Sequence, residues 1–203
     1  MTKIKICGIT GVEEAEYLNE AEVDYAGFVF YEKSKRNVTV DRVKEIKKHL
    51  NPSIKAVAVV VDPKEALINE LKTLSMDVLQ VHGAMDLKIK EQWTKELWRA
   101  VNLKDNQDIK RVFTEPAQGY VLDGANYGGG VPFDWQGAER FLAEAKDKKI
   151  ILAGGLCVEN VTRGMEIFAP DIVDVSTHVE GTKGKDRKKI QEFVREVRAY
   201  DRK

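Results

Sequence analysis

Lys55-Ala56-Val57-Ala58-Val59-Val60-Val61 is the stretch on which the fold turns. From Ala56 to Val61 every residue is apolar and nothing alternates, so a strand here must be covered on both faces. Strands of that kind belong to parallel sheets flanked by helices. Asp62-Pro63 follows at once and reads as the opening of a helix, with proline in its first turn. The pattern extends in both directions. Lys3–Cys7 and Tyr25–Phe30 read as strands upstream, and Val78–Val81, Leu97–Val101, Gly119–Leu122, Ile150–Ala153 and Ile172–Val175 downstream. They recur every 20–30 residues or so, roughly the ~30 residues of one βα unit.

The segments between them carry helical period and caps. Thr39 or Asp41 can cap a helix that puts Val43 and Ile46 on one face and lysines on the other. The last helix follows Asp186 and gathers Ile190, Phe193, Val194 and Val197 on one side. Asn102–Thr114 has the sparsest apolar pattern of the helical segments. No linker or composition break interrupts the chain, so residues 1–203 read as one domain. Eight strand–helix alternations point to a single (βα)8 barrel of the α/β class, with an open doubly wound sheet as the rival.

Composition narrows the function. With 33 Lys plus Arg against 33 Asp plus Glu, the chain lacks the basic footprint of a nucleic-acid binder. No apolar run approaches the ~20 residues that span a bilayer. The opening Lys3-Ile4-Lys5-Ile6 is not the apolar core of a signal peptide. Two cysteines, Cys7 and Cys157, are too few for a disulfide framework or a cysteine zinc site. A cytoplasmic protein without a metal is the expectation.

In barrels of this kind the chemistry sits at the carboxyl ends of the strands, and the unusual residues fall there. Cys7 ends the first strand, and is either a small buried hydrophobe or a thiol that a modest electropositive environment would ionise near neutral pH. His82 follows the fourth, as a loop histidine or a site residue. Asp123 ends the sixth, as a turn or cap aspartate or as a general acid lifted by partial burial. Gly154-Gly155 end the seventh, either for a tight turn or to let the backbone approach a phosphate, with a helix N-terminus beyond. Asp174, Ser176 and Thr177 end the eighth, where the second phosphate loop would lie. Cys157, expected at the start of the helix after the glycine pair, reads as structural. Arg36, in the loop after strand two, is either solvated or placed to clamp a carboxylate with a two-pronged geometry that lysine lacks.

Taken in order, Lys5-Ile6-Cys7-Gly8-Ile9-Thr10, Phe30 through Ser34 with Arg36, Gln80-Val81-His82-Gly83, Leu122-Asp123, Phe133-Asp134-Trp135, Ala153-Gly154-Gly155-Leu156 with Asn160-Val161, and Asp174-Val175-Ser176 with Val179-Glu180 and Lys185-Asp186 resemble the phosphoribosylanthranilate isomerase family. The resemblance runs from the first strand to the last helix. It implies an Amadori rearrangement of N-(5-phosphoribosyl)anthranilate in tryptophan biosynthesis, with no cofactor. It further implies Cys7 as general base, Asp123 as general acid, Arg36 on the substrate carboxylate, and His82 and Asp174 as substrate contacts. Gly154, Gly155, Ser176 and Thr177 are implied at the phosphate. The implied partner is a small phosphoribosyl molecule, with neither nucleic acid nor membrane, for a monomer or homodimer.

Two departures from the family pattern stand out. His178 follows Thr177 where the family usually has glycine, and Gly128-Gly129-Gly130-Val131-Pro132 forms a shorter sixth loop. The alternatives are a related phosphate-binding barrel acting on another phosphoribosyl amine, or a non-catalytic phosphate-ligand-binding barrel.

Overall fold

The computed structural model describes residues 1–102, 117–123 and 147–202. Eight parallel strands close into a barrel in sequence order: β1 (Lys3–Cys7), β2 (Tyr25–Phe30), β3 (Lys55–Val61), β4 (Val78–His82), β5 (Glu96–Asn102), β6 (Gly119–Asp123), β7 (Lys149–Leu152) and β8 (Ile172–Val175). The ring shuts where β8 pairs with β1, with Lys5 opposite Asp174 and Ile6 opposite Val175. A closed ring leaves no edge strand, which rules out the open sheet. The described helices are α1 (Val12–Ala21), α2 (Val40–Lys47), α3 (Glu65–Thr73), α4 (Leu87–Gln92), α5 (Val161–Phe168) and α6 (Arg187–Tyr200), with a single 3-10 turn at Thr177–Val179.

Alternation along each strand divides the core in two. One set, including Ile4, Ile6, Ala26, Phe28, Ala58, Val60, Leu79 and Val173, packs with Ile190 and Phe193 of α6 and Leu18 of α1. The other set fills the barrel itself: Tyr25, Val57, Val59, Val78, Trp98, Val121, Ile151 and Ile172, with Cys7 against them. This second set explains why Lys55–Val61 shows no polar alternation, since both of its faces meet apolar partners.

Caps follow the sequence at two helices. Thr39 accepts the Arg42 N–H at the start of α2, and Asp186 accepts the Lys189 N–H at the start of α6. Two expectations are corrected. Asp62-Pro63 does not open α3, which begins at Glu65. Asp62 has φ 44, gives its N–H to the His82 carbonyl and accepts the Ala84 N–H at 2.6 Å, so it ties β3 to the loop after β4 instead. Cys157 lies in the turn before α5, not on it; the Asn160 side chain accepts the Cys157 N–H and donates to the Gly155 carbonyl, delaying the helix to Val161. The proposed helix over Asn102–Thr114 falls outside the described residues apart from Asn102, which ends β5, and the Gly128–Pro132 loop and Phe133-Asp134-Trp135 fall outside them altogether.

Candidate active site

Strand direction places the carboxyl ends of all eight strands at one mouth, and a cavity of about 340 Å³ opens there. Cys7, Arg36, His82, Asp123, Gly154, Gly155, Asp174, Ser176 and Thr177 all line it. These nine residues come from five strand ends and from the loop after β2. His178, on the 3-10 turn, also lines it.

The floor is charged. Lys5 lies inward on β1, two residues before Cys7, and is fully buried; its Nζ meets Asp174 Oδ2 at 2.6 Å. Burial alone would lower the Lys5 pKa, but the Asp174 carboxylate holds it above its ordinary value. The second carboxylate oxygen, Oδ1, is buried and has no hydrogen-bond partner among the described residues. A buried acceptor left open at a cavity wall is placed to receive a donor from a ligand. Lys185, anchored after the 3-10 turn, gives Nζ to the Ser176 carbonyl at 3.0 Å and to Glu180 Oε1 at 3.0 Å.

Cys7 is given room by Gly27 on β2, where a Cβ would stand 2.9 Å from Sγ. Burial pushes the Cys7 thiol up, Lys5 and Lys185 pull it down, and Asp174 adds to the rise. The net direction is upward: burial outweighs the two ammonium groups. Asp123, at the end of β6, is buried at the opposite side of the barrel order. His82 is the last residue of β4 rather than a loop residue. Burial, and then the charges of Lys5 and Arg99, push its pKa down to about 3, so the ring is neutral at ordinary pH. The Gln80 side-chain amide lies 2.9 Å from His82 Nε2.

Arg36 lies over Gly8, whose φ of 84 leaves no space for a side chain, because a Cβ there would overlap Arg36 Cδ. The guanidinium gives Nε to Glu180 Oε1 and Nη2 to Thr177 Oγ1 at 2.9 Å. Nη1 makes no hydrogen bond to a described residue. Beyond β7, Gly154 and Gly155 both take left-handed backbone, with φ 75 and 74, and among the described residues their N–H groups have no acceptor. The Ser176 hydroxyl is committed, donating to the Cys7 carbonyl at 2.8 Å.

Sequence reasoning singled out neither Lys5 nor Glu180 as a site residue. For Lys5 a signal existed: the two-residue period of β1 puts it on the face of Cys7. Among the described residues no cluster of His, Cys, Asp and Glu is built to hold a metal ion, and no helix is long and apolar enough to cross a membrane.

The family model described as N-(5'phosphoribosyl)anthranilate (PRA) isomerase matches residues 4–196. A relative named N-(5'-phosphoribosyl)anthranilate isomerase, from Clostridium kluyveri, is 40% identical over 200 residues, which are 98% of each chain. The crystal structure of phosphoribosyl anthranilate isomerase from Thermotoga maritima superposes with a TM-score of 0.87 at 28% identity, over 98% of this chain and 100% of that one. A structure of such an isomerase in complex with reduced 1-(o-carboxyphenylamino)-1-deoxyribulose 5-phosphate superposes with a TM-score of 0.85 at 28% identity, over the same shares.

Proposed function

Because the chain belongs to the phosphoribosylanthranilate isomerase family, we propose that its barrel mouth carries out the Amadori rearrangement of N-(5-phosphoribosyl)anthranilate, as a step of tryptophan biosynthesis. The observation that carries this reading is the joint presence in one cavity of Cys7 and Asp123, together with Arg36 and the glycine pair Gly154-Gly155. The rearrangement needs one acid and one base, each worth about 10²–10⁴-fold in rate.

Asp123 gives its proton to the furanose ring oxygen as the bond from that oxygen to the first sugar carbon breaks. The aniline nitrogen lone pair closes to an iminium at the same carbon. Cys7, as thiolate, takes the proton from the second carbon, and those electrons neutralise the iminium to an enolamine. The enolamine then tautomerises: its hydroxyl loses a proton, the first carbon gains one, and 1-(2-carboxyphenylamino)-1-deoxyribulose 5-phosphate results. The iminium is the electron sink for the proton taken from the second carbon, and Asp123 and Cys7 carry the two proton transfers that precede the tautomerisation. Lys5 and Lys185 oppose the burial of Cys7, which favours its thiolate.

The remaining groups sort by charge and geometry. Arg36 holds the ring carboxylate, and neutral His82 walls the aromatic ring. Asp174 Oδ1 accepts from the amine or a sugar hydroxyl. Gly154 and Gly155 offer N–H donors to the phosphate. Ser176 and Thr177 contribute there through backbone, because one hydroxyl is held by Cys7 and the other by Arg36. The same reading takes residues 1–203 as one barrel domain acting on a soluble phosphoribosyl substrate in the cytoplasm.

Replacing Cys7 with serine tests it. Turnover should fall by orders of magnitude with the fold intact, whereas an unchanged rate removes Cys7 as the base. Substrate-analogue binding by the unaltered protein without turnover would favour a ligand-binding barrel instead.

A further inference from the structure

Glu180 lies just beyond the 3-10 turn that follows β8, 144 residues from Arg36 in sequence, and takes three cations. Its Oε1 accepts from Arg36 Nε and from Lys185 Nζ at 3.0 Å, and its Oε2 accepts from Lys35 Nζ at 2.8 Å. The carboxylate is itself well anchored. Gly181 donates to the Gly184 carbonyl at 2.8 Å, closing a hairpin behind it, and the Lys185 N–H donates to Glu14 Oε1 of α1 at 2.7 Å. Glu14 also accepts the Thr10 and Gly11 N–H groups, so one buried carboxylate on α1 fixes both the first loop and the Glu180 hairpin.

The pattern of contacts on Arg36 is selective. A guanidinium offers two edges for two-pronged binding: a side edge, from Nε and the nearer Nη, and an end edge, from the two Nη groups. Glu180 on Nε and Thr177 on Nη2 occupy the side edge. Nη1, which belongs to the end edge, makes no hydrogen bond to a described residue. Gly8 beneath the stem admits it, since Arg36 Cδ fills the space that a Cβ would need.

We propose that Glu180 is a positioning residue: by holding the side edge of Arg36 it turns the end edge toward the cavity and so sets the preference for a substrate whose aromatic ring bears a carboxylate. This rests on the reading of Arg36 as the carboxylate clamp. A free arginine at this place would sample many rotamers and lose much of its two-pronged geometry to ordering entropy. Glu180 stays ionised throughout the useful pH range, because the hydrogen bonds from Arg36 and Lys35 overcome its burial and bring it down to about 2.

The test compares the unaltered protein, Glu180→Gln and Arg36→Met. Inhibition constants are measured for the reduced product analogue with and without its ring carboxylate, alongside KM and kcat. The unaltered protein should prefer the carboxylated analogue strongly. Glu180→Gln should lower that preference by about tenfold or more and raise KM, with kcat changed far less. A merely structural role would weaken both analogues alike and leave their ratio alone. If Arg36→Met keeps the preference, the reading of Arg36 fails. If Arg36→Met loses it while Glu180→Gln keeps it, the role of Glu180 fails. Should Glu180→Gln not fold, Glu180→Asp, which withdraws the charge by one methylene, is held to the same criterion.

Discussion

Lys5→Met is the substitution whose consequence the fold specifies most fully. Lys5 is fully buried and Asp174 nearly so, and their charges stand 2.6 Å apart. Removing the ammonium strands a carboxylate whose other oxygen already lacks a partner. Stranding one member of a buried pair costs about 3–5 kcal/mol, a large part of the 5–15 kcal/mol that holds a domain together. At about 2–4 °C per kcal/mol for a chain of this size, the melting midpoint should drop by roughly 10 °C. Pairing the change with Asp174→Asn removes the stranded charge, so the double variant should recover roughly 2 kcal/mol relative to additivity.

The same pair fixes the pH dependence. Lys5 has a raised pKa in the fold, so its contribution is full below its ordinary value of 10.5 and fades only as pH rises through the higher folded value. In Lys5→Met the lone Asp174 gains stability when it takes up a proton, so that variant should be firmer at pH 5 than at pH 8. Urea unfolding of the four proteins of the cycle, at both pH values, measures all of this. A single variant within about 0.5 kcal/mol of the parent, or a strictly additive double variant, refutes the argument.

Three further outcomes are expected. Gly8→Ala should destabilise the fold by about 1 kcal/mol or more, from the left-handed backbone and the overlap with Arg36, and should raise KM through that arginine; an unchanged KM in steady-state kinetics would contradict it. Alkylation of Cys7 by iodoacetamide in the ligand-free protein should keep accelerating as pH rises past 9.0, because burial holds the thiol up, and a plateau near neutral pH would contradict that. His82 has a folded pKa of about 3 against 6.5 unfolded, so its contribution is present above pH 6.5 and lost as pH falls toward 3. Acid titration of stability in His82→Asn should therefore be shallower over that window than in the parent.

Much of this was legible in the chain. Tyr25–Phe30 and Lys55–Val61 carry their strand character locally, through continuous apolar runs, and the structure keeps both boundaries. Cys7, Asp123 and Gly154 could be found because strand ends in such a barrel share one mouth, so position along each strand sufficed. What stayed hidden depends on closure. Lys5 acquires its meaning from Asp174, 169 residues away, only when β8 pairs with β1. Glu180 reaches Arg36 across the same seam. The Thr177 and Ser176 hydroxyls look free in sequence, yet Arg36 and the Cys7 carbonyl claim them in three dimensions. Asp62-Pro63 misleads for a related reason: the N–H of Ala84, from the next strand's loop, takes the carboxylate that would have capped a helix.

The most direct measurement generates phosphoribosylanthranilate in place from anthranilate and phosphoribosyl pyrophosphate and follows loss of its fluorescence after the protein is added. The unaltered protein should consume the signal rapidly, and Asp123→Asn should do so about 10²–10⁴-fold more slowly with an unchanged circular dichroism spectrum. No loss from the folded parent, or equal rates for the two proteins, would contradict the assignment of this cavity and its acid.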